Sequence, residues 1–521
     1  MKSKNNELTT SSPLFNKNSS WYTAFLIFIF LLAALIRRDE IRAPGHLVER
    51  EYNSAIFARA FYFESNDDIE PWRRDNAVAT REQFPVLEPP LTEYLVSFIY
   101  KFAGREEIWY SRYLTSVFWL IGGIFLYKMV QELMSVDAAL IATIYYLFTP
   151  WGVIISRSFQ PDSLMMMLFI ISLYAIVIYF KRISWKNLLL AGTLAGITLL
   201  LRPLVVFTLF GAFAALSISK HGISRRLFSS QTIIFIFLTI IFPLAFYGYG
   251  IYITGSLQGQ ADLSFRPYLL TRLAFWTGWF NNALQVIGLP FFLLAILGYF
   301  FLHNTTARYL AIGLAVGYFI FGLFFTFHTH THPYYQIQIF PLICICIAPI
   351  LFEITVSVKK SAGSYWWVPL SIILLIAIYS SWKDVRSTLY TPIYEDPSLA
   401  WRIGEEVGHS PHTVFVAYHY GMPLEYYGEF TGAPWPVSID DLFYRRPDAR
   451  ELSVQERIAG LGFEPEYFVI THFDLFHRHH QDLKTYLEES CTNIAQTDQY
   501  LIYGSCRILS VGETTIVRSS N

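Results

Sequence analysis

From Trp21 to Trp382 the chain is a succession of apolar runs, several close to twenty residues long and almost free of charge. A helix needs roughly 20 such residues to cross the hydrocarbon core. A chain built this way cannot bury all its apolar surface in one water-soluble core, so it must use lipid as a second solvent. By that measure about eleven spans are expected. They begin near Trp21, Tyr113, Ala138, Ser163, Asn187, Pro203, Gln231, Ala283, Tyr309, Tyr334 and Tyr365. After Trp382 the composition becomes that of a soluble domain. Charged residues make up only 15% of the chain, against about a quarter in soluble domains. The net charge of -1 argues against a nucleic-acid partner.

The expected fold is a polytopic α-helical membrane protein with a C-terminal soluble α/β domain. Residues 1–20, rich in Ser, Asn and Lys, read as a disordered cytoplasmic tail. Residues 21–382 form the transmembrane domain, with a large first outer loop at 37–112, and residues 383–521 form the α/β domain. The first apolar run lacks a small-residue cleavage site and reads as an anchor. Lys and Arg mark the cytoplasmic side. With the N-terminus inside, alternate loops carry Lys181, Arg182 and Lys186, then Lys220, Arg225 and Arg226, then Arg308, then Lys359 and Lys360. An odd number of spans in a plasma membrane then places the C-terminal domain outside. In that domain His412–Tyr418, Tyr467–Thr471 and Tyr500–Tyr503 read as strands and Leu483–Glu489 as a helix. Cys491 and Cys506 can pair there if the compartment is oxidising, whereas Cys344 and Cys346 sit in an apolar run and read as core. In the first loop Tyr52–Phe63 and Leu91–Phe102 are amphipathic stretches suited to the membrane interface.

Six clusters can carry chemistry. Glu49-Arg50-Glu51-Tyr52-Asn53-Ser54-Ala55-Ile56-Phe57-Ala58-Arg59 places acids just beyond the first span. A carboxylate there can take the proton of an attacking alcohol, or the stretch is a solvated helix. Glu88-Pro89-Pro90-Leu91 reads as a turn and helix start. Arg157 and Asp162, in Ser156-Arg157-Ser158-Phe159-Gln160-Pro161-Asp162, are costly at a membrane edge unless paired or used; an ion pair and a catalytic role are both open. Arg202 before Pro203 can grip a phosphate or snorkel to headgroups. His328, His330 and His332 precede Pro333-Tyr334-Tyr335; on an extended segment alternate imidazoles can face one metal, but hydrogen bonding to a ligand is favoured. The loop Gln258–Asn282 carries Trp276 and Trp279, which suit an interfacial belt as well as a sugar platform.

The order of these clusters resembles the GT-C glycosyltransferases, in the branch of the lipid A aminoarabinose transferases and protein O-mannosyltransferases. The resemblance runs from the first span to about Pro341 and rests on four motifs. These are the acidic loop ending Ala58-Arg59, Pro89-Pro90-Leu91 with Tyr100-Lys101-Phe102-Ala103-Gly104, Pro161-Asp162, and His332-Pro333-Tyr334-Tyr335. It implies an inverting enzyme that moves a sugar from a polyprenyl-phosphate donor to a protein, lipid or glycan acceptor at the outer face. No cofactor and no metal ligands are indicated, though a divalent metal stays open; membrane lipids are the other partners. Glu51, Glu49 and Asp162 become the catalytic candidates. Arg59, Glu88, Arg157, Arg202, His332 and Tyr335 become candidates for the donor or its lipid phosphate. One departure stands out. Members often carry Asp-Glu eight or nine residues before the arginine matching Arg59, and here those positions are Arg50 and Glu51. The competing classes are a transporter or flippase of lipid-linked material and a non-catalytic membrane scaffold. The absence of a repeat and the position of the charges at span ends weigh against a transporter.

Overall fold

The computed structural model describes residues 20–39, 41–42, 48–365, 396–435 and 452–506, with isolated positions between 368 and 383. Along the chain the helices are α1 (Ser20–Arg38), α2 (Val48–Glu64), α3 (Pro71–Gln83), α4 (Leu91–Ala103), α5 (Ile108–Leu133), α6 (Val136–Phe148), α7 (Pro150–Ser156), α8 (Asp162–Lys181), α9 (Trp185–Leu201), α10 (Val206–His221) and α11 (Ser230–Gly248). Then come α12 (Gln258–Ser264), α13 (Leu273–Ile287), α14 (Leu289–Tyr299), α15 (Thr305–Phe324), α16 (Thr326–Thr331) and α17 (Phe340–Ala362). The C-terminal part adds α18 (Pro397–Glu406), β1 (Thr413–Val416), α19 (Met422–Gly428), β2 (Gly432–Pro434), α20 (Val454–Ala459), β3 (Tyr467–Ile470), α21 (Phe473–His479), α22 (Gln481–Ser490), β4 (Thr492–Gln496) and β5 (Leu501–Gly504). The chain divides into two compact units. One comprises Met1–His46, Pro85–Thr92 and Glu107–Thr391; the other comprises Leu47–Phe84, Glu93–Glu106 and Pro392–Asn521.

The first unit is a helical membrane bundle. Among the described residues seven helices are long and apolar enough to cross a bilayer, or nine if two bent pairs each count as one span. The bends have local causes. Between α6 and α7 the chain turns by 61° at Thr149, where Pro150 cannot continue the hydrogen-bond ladder. Between α13 and α14 it turns by 90° at Gly288, whose φ of 85° suits glycine alone. α9 has only 17 residues. The expected span from Tyr365 lies largely outside the described residues. Lipid tails give helices no hydrophobic reason to associate, so the bundle relies on close backbone approach at small residues. Gly313 and Gly317 of α15 face Gly211 and the Phe207–Thr208 backbone of α10 so closely that a Cβ has no room. Gly298 of α14 meets the Cys346 carbonyl of α17 in the same way, with Cys344 and Cys346 both free and buried.

The second unit joins α2–α4 to the C-terminal α/β segment. Its sheet runs β2-β1-β3-β5-β4, with β1 parallel to both β2 and β3, and β5 antiparallel to β3 and β4. Side chains alternate along the strands, giving each face its own core. Phe415, Val469 and Ile502 pack with Leu399, Ile403 and Leu424 on one face. Val414, Val416, Phe468 and Ile470 pack with Phe476, Leu483 and Leu487 on the other. Cys491 and Cys506 are disulfide-bonded beside this second core. α2 is buried on nearly every side, so Tyr52–Phe63 is not an interfacial helix. α4 does have two faces: Val96 and Tyr100 are buried, while Leu91, Tyr94, Leu95, Phe98 and Phe102 are exposed.

Candidate functional site

α8 and α9 run antiparallel through a short turn, which brings the first residue of one beside the last of the other. Asp162 opens α8, where a carboxylate favours the helix N-terminus; Arg202 caps α9, where a cation favours the C-terminus. Their side chains meet: Arg202 Nη2 donates to Asp162 Oδ2 at 2.7 Å. Glu88 approaches the other terminal nitrogen of the same guanidinium at 3.7 Å. Asp162 and Arg202 are almost fully buried and Glu88 nearly so. Tyr335 and Tyr247 lie close enough to Arg202 to interact with it electrostatically, and the Tyr247 hydroxyl donates to the Leu200 carbonyl at 2.9 Å. The structure therefore unites Glu88, Asp162, Arg202 and Tyr335, separated by up to 247 residues in the chain. Tyr247 went unnoticed in the sequence because it lies within an apolar run.

A second polar group surrounds Arg157, at the end of α7. Arg37, from the end of α1, is 1% exposed and close enough to Arg157 to feel its charge. Its Nε donates to Ser156 Oγ at 2.7 Å and its Nη1 to the Ala33 carbonyl at 3.1 Å. Among the described residues no carboxylate pairs with Arg37. Arg112 is buried and donates to the Ile41 carbonyl at 2.8 Å. Arg37 carried no sequence signal beyond its place at the end of a span.

The histidines behave differently from the extended-segment expectation. His328 and His330 lie on the short helix α16, where alternate residues point to different sides. His330 Nδ1 donates to the Thr326 carbonyl at 2.8 Å. His332 is exposed, with Nδ1 2.8 Å from Thr331 Oγ1 and its ring against Tyr334 and Tyr335. Tyr335 also receives the His328 ring at 4.9 Å between centroids. Among the described residues no group of three His, Cys, Asp or Glu side chains is arranged to hold a metal.

Glu49, Glu51 and Arg59 belong to the second unit. Glu51 is buried, while Glu49 is half exposed and accepts from His419 Nδ1 at 2.8 Å. Arg59 is committed to protein: its Nε donates to both Glu106 oxygens at 2.8 and 3.0 Å, its Nη1 to the Tyr426 carbonyl, and its plane covers the Tyr426 ring. Burial works against the charge on Arg59, but Glu106, with Tyr426 and Glu429, more than offsets it and holds its pKa above the usual range. Nearby, burial raises the Glu425 carboxyl well above the normal carboxylate range, and a bond from the Gly432 N–H opposes this only in part.

Known structures share this arrangement of helices and sheet. ArnT from Cupriavidus metallidurans in the apo state superposes with a TM-score of 0.58 at 13% identity, over 93% of this chain and 98% of that one. The chain has the GT-C glycosyltransferase fold. The same ArnT bound to undecaprenyl phosphate aligns with a TM-score of 0.55 at 12% identity, over 92% and 98% of the two chains. The archaeal oligosaccharyltransferase AglB from Archaeoglobus fulgidus, in complex with an inhibitory peptide and a dolichol-phosphate, gives 0.51 at 12% identity over 87% and 70%. Residues 87–247 match the dolichyl-phosphate-mannose-protein mannosyltransferase family. No curated protein sequence matches the chain. The GT-C fold here is that of an integral membrane protein, and the family-matched segment contains Glu88, Arg157, Asp162, Arg202 and Tyr247.

Proposed function

We propose that the chain is an inverting glycosyltransferase that moves a sugar from a polyprenyl-phosphate donor to an acceptor outside the cytoplasm. The observation that carries this reading is the buried Glu88–Arg202–Asp162 group inside the segment that matches a lipid-phosphate-sugar transferase family. The ArnT and AglB structures that share the fold hold undecaprenyl phosphate and dolichol-phosphate respectively, which supports a donor of the same chemical class.

The chemistry is a single displacement. An acceptor hydroxyl oxygen forms a bond to the anomeric carbon, the bond from that carbon to the phosphate oxygen breaks, and the polyprenyl phosphate leaves with the electron pair. The hydroxyl proton passes to a carboxylate. Asp162 is one such candidate base, held in place by the hydrogen bond from Arg202 Nη2. Arg37 and Arg157 are two buried guanidiniums within reach of each other's charge, which an anionic phosphate would stabilise. Glu51 and Glu49 remain the rival bases from the acidic loop.

Purified chain in proteoliposomes, supplied with polyprenyl-phosphate sugars and a cell-envelope extract as the source of acceptor, should release polyprenyl phosphate as the sugar passes to the acceptor. Losing a general base costs about 10²–10⁴ in rate. Asp162→Asn, Glu51→Gln and Glu49→Gln should therefore separate, with one falling by that order while still binding donor. Absence of release from every polyprenyl-phosphate sugar offered, by a preparation that binds them, would sink the transferase reading. In cells, mass spectrometry of a deletion strain should find the unused lipid-linked sugar accumulating.

A further inference from the structure

The C-terminal sheet contains a change of winding direction. After β1 the chain turns to α19, on the face of Phe415 and Val469; after β3 it turns to α21 and α22, on the face of Val416 and Ile470. β1 and β3 are parallel neighbours, with Val416 opposite Ile470. Two adjacent parallel strands that send their chains to opposite faces leave a crevice beyond their carboxyl ends, where open α/β sheets bind ligands. Here that crevice is bordered by Tyr418, His419 and Tyr420 after β1, and by Thr471 and His472 after β3.

These residues are specially placed. The N–H groups of Thr471 and His472 both donate to the Val416 carbonyl at 3.0 Å, tying the two loops together. The Tyr418 and His472 rings stack in contact, with centroids 3.7 Å apart, so a ligand here lies on the rim of the two loops and not between them. His419 and Tyr420 have φ of 53° and 56°, a left-handed conformation that is strained for any residue but glycine. Strain of this kind persists where the surroundings over-determine it, often at binding sites. Tyr420 as a whole is 39% exposed. His419, next in the chain, bonds Glu49, whose side chain is 47% exposed.

We propose that this crevice binds a neutral carbohydrate and, resting on the transferase reading, that it holds the glycan of the acceptor. The exposed face of Tyr420 and the Tyr418–His472 pair offer flat apolar surfaces for the C–H face of a sugar ring, while Glu49 and His419 offer hydrogen bonds to its hydroxyls. Charge weighs against the nearest alternative: among the described residues bordering the crevice at the two strand ends there is no lysine or arginine, and Glu49 adds a carboxylate that disfavours a phosphate or an acidic sugar.

The test uses the full-length chain in detergent micelles, labelled and applied to an array of free neutral and acidic oligosaccharides. Wild type should retain a subset of the neutral glycans, and Tyr420→Gly and Glu49→Gln should each lower retention at least tenfold. Tyr420→Gly relieves the left-handed strain while removing the ring, so its melting temperature should hold or rise as binding falls. Retention of acidic glycans alone, of no glycan, or of neutral glycans equally by both variants would overturn the proposal. Release of polyprenyl phosphate from donor in the presence of the cell-envelope acceptor extract, measured on the same preparation, separates the two readings. Glycan retention without release removes the transferase and leaves the site; release without retention removes the site and leaves the transferase.

Discussion

Arg202 is a buried guanidinium that faces two carboxylates, Asp162 at 2.7 Å and Glu88 at 3.7 Å. A guanidinium taken out of water recovers little net stability from its partners, but removing one partner strands a buried charge at a cost of about 3–5 kcal/mol. Arg202→Leu leaves Asp162 and Glu88 facing each other without their cation. It is expected to lower thermal stability in detergent by that order, read by the unfolding of the purified chain. Arg202→Lys should recover part of the loss, since it restores the charge without the two-nitrogen geometry. The sequence marked Asp162 and Arg202 separately, each as a charge out of place at a membrane edge. Their pairing was not legible, because contact over 40 residues depends on how α8 and α9 pack. The partners of Arg59 were not legible either: the structure pairs its guanidinium with Glu106 and Tyr426, which nothing in the linear pattern joined to it.

His480 links a residue to acidity. Burial, reinforced by the charges of Arg457 and two neighbouring histidines, pushes its imidazole down to about 4. In the unfolded chain it titrates near 6.5, so between those values the unfolded state takes up a proton that the folded state refuses. The sign follows: the contribution to stability is complete above about pH 6.5 and is lost as pH falls towards 4, on the order of 3 kcal/mol in all. Hydrogen exchange of β3 and α22 should accelerate across that window, and His480→Gln should flatten the response.

At the scale of elements, close approach between helices and one covalent bond carry the clearest predictions. Gly313→Leu puts a side chain where α10 and α15 leave none; overpacking of this kind typically costs about 1–3 kcal/mol, and the variant should lose yield and melt earlier than Ile312→Leu, whose side chain is exposed. Removing the Cys491–Cys506 bond, which closes a short loop, should cost about 3 kcal/mol on the chain-entropy account. A Cys491→Ser and Cys506→Ser double variant compared with wild type under non-reducing conditions measures it. The strands that were legible, β1, β3 and β5, are the ones with runs of buried apolar residues. β2 and β4 were missed: one is a three-residue strand ending in Pro434 and the other is mostly exposed Thr, Asn and Gln. Both sit at sheet edges, where half the pairing is absent and the pattern has least reason to appear. The amphipathic reading failed for α2 because its apolar residues surround the whole helix, so no single stripe defines a face.

For the whole molecule, the basic alternate loops predict the C-terminal domain outside the cytoplasm. Asp498→Cys, in the exposed turn between β4 and β5, should react with a membrane-impermeant maleimide in intact cells; protection until lysis would reverse the assignment. The second unit also has a consequence in time. It is completed by pieces lying on either side of nearly the whole membrane bundle: its second segment ends at Glu106, and its last begins at Pro392. At a synthesis rate of about 5–20 residues per second, roughly a quarter of a minute to a minute separates them. Throughout that interval α2, α3 and α4 have left the ribosome without the partners of Arg59, Arg73 and Asn76 contributed by Tyr426, Glu429 and His409. The nascent chain must therefore carry an unfinished domain while most of its spans are being inserted. Ribosome-bound chains arrested before Pro392 should be cut by protease within α2–α4, and full-length chains should not.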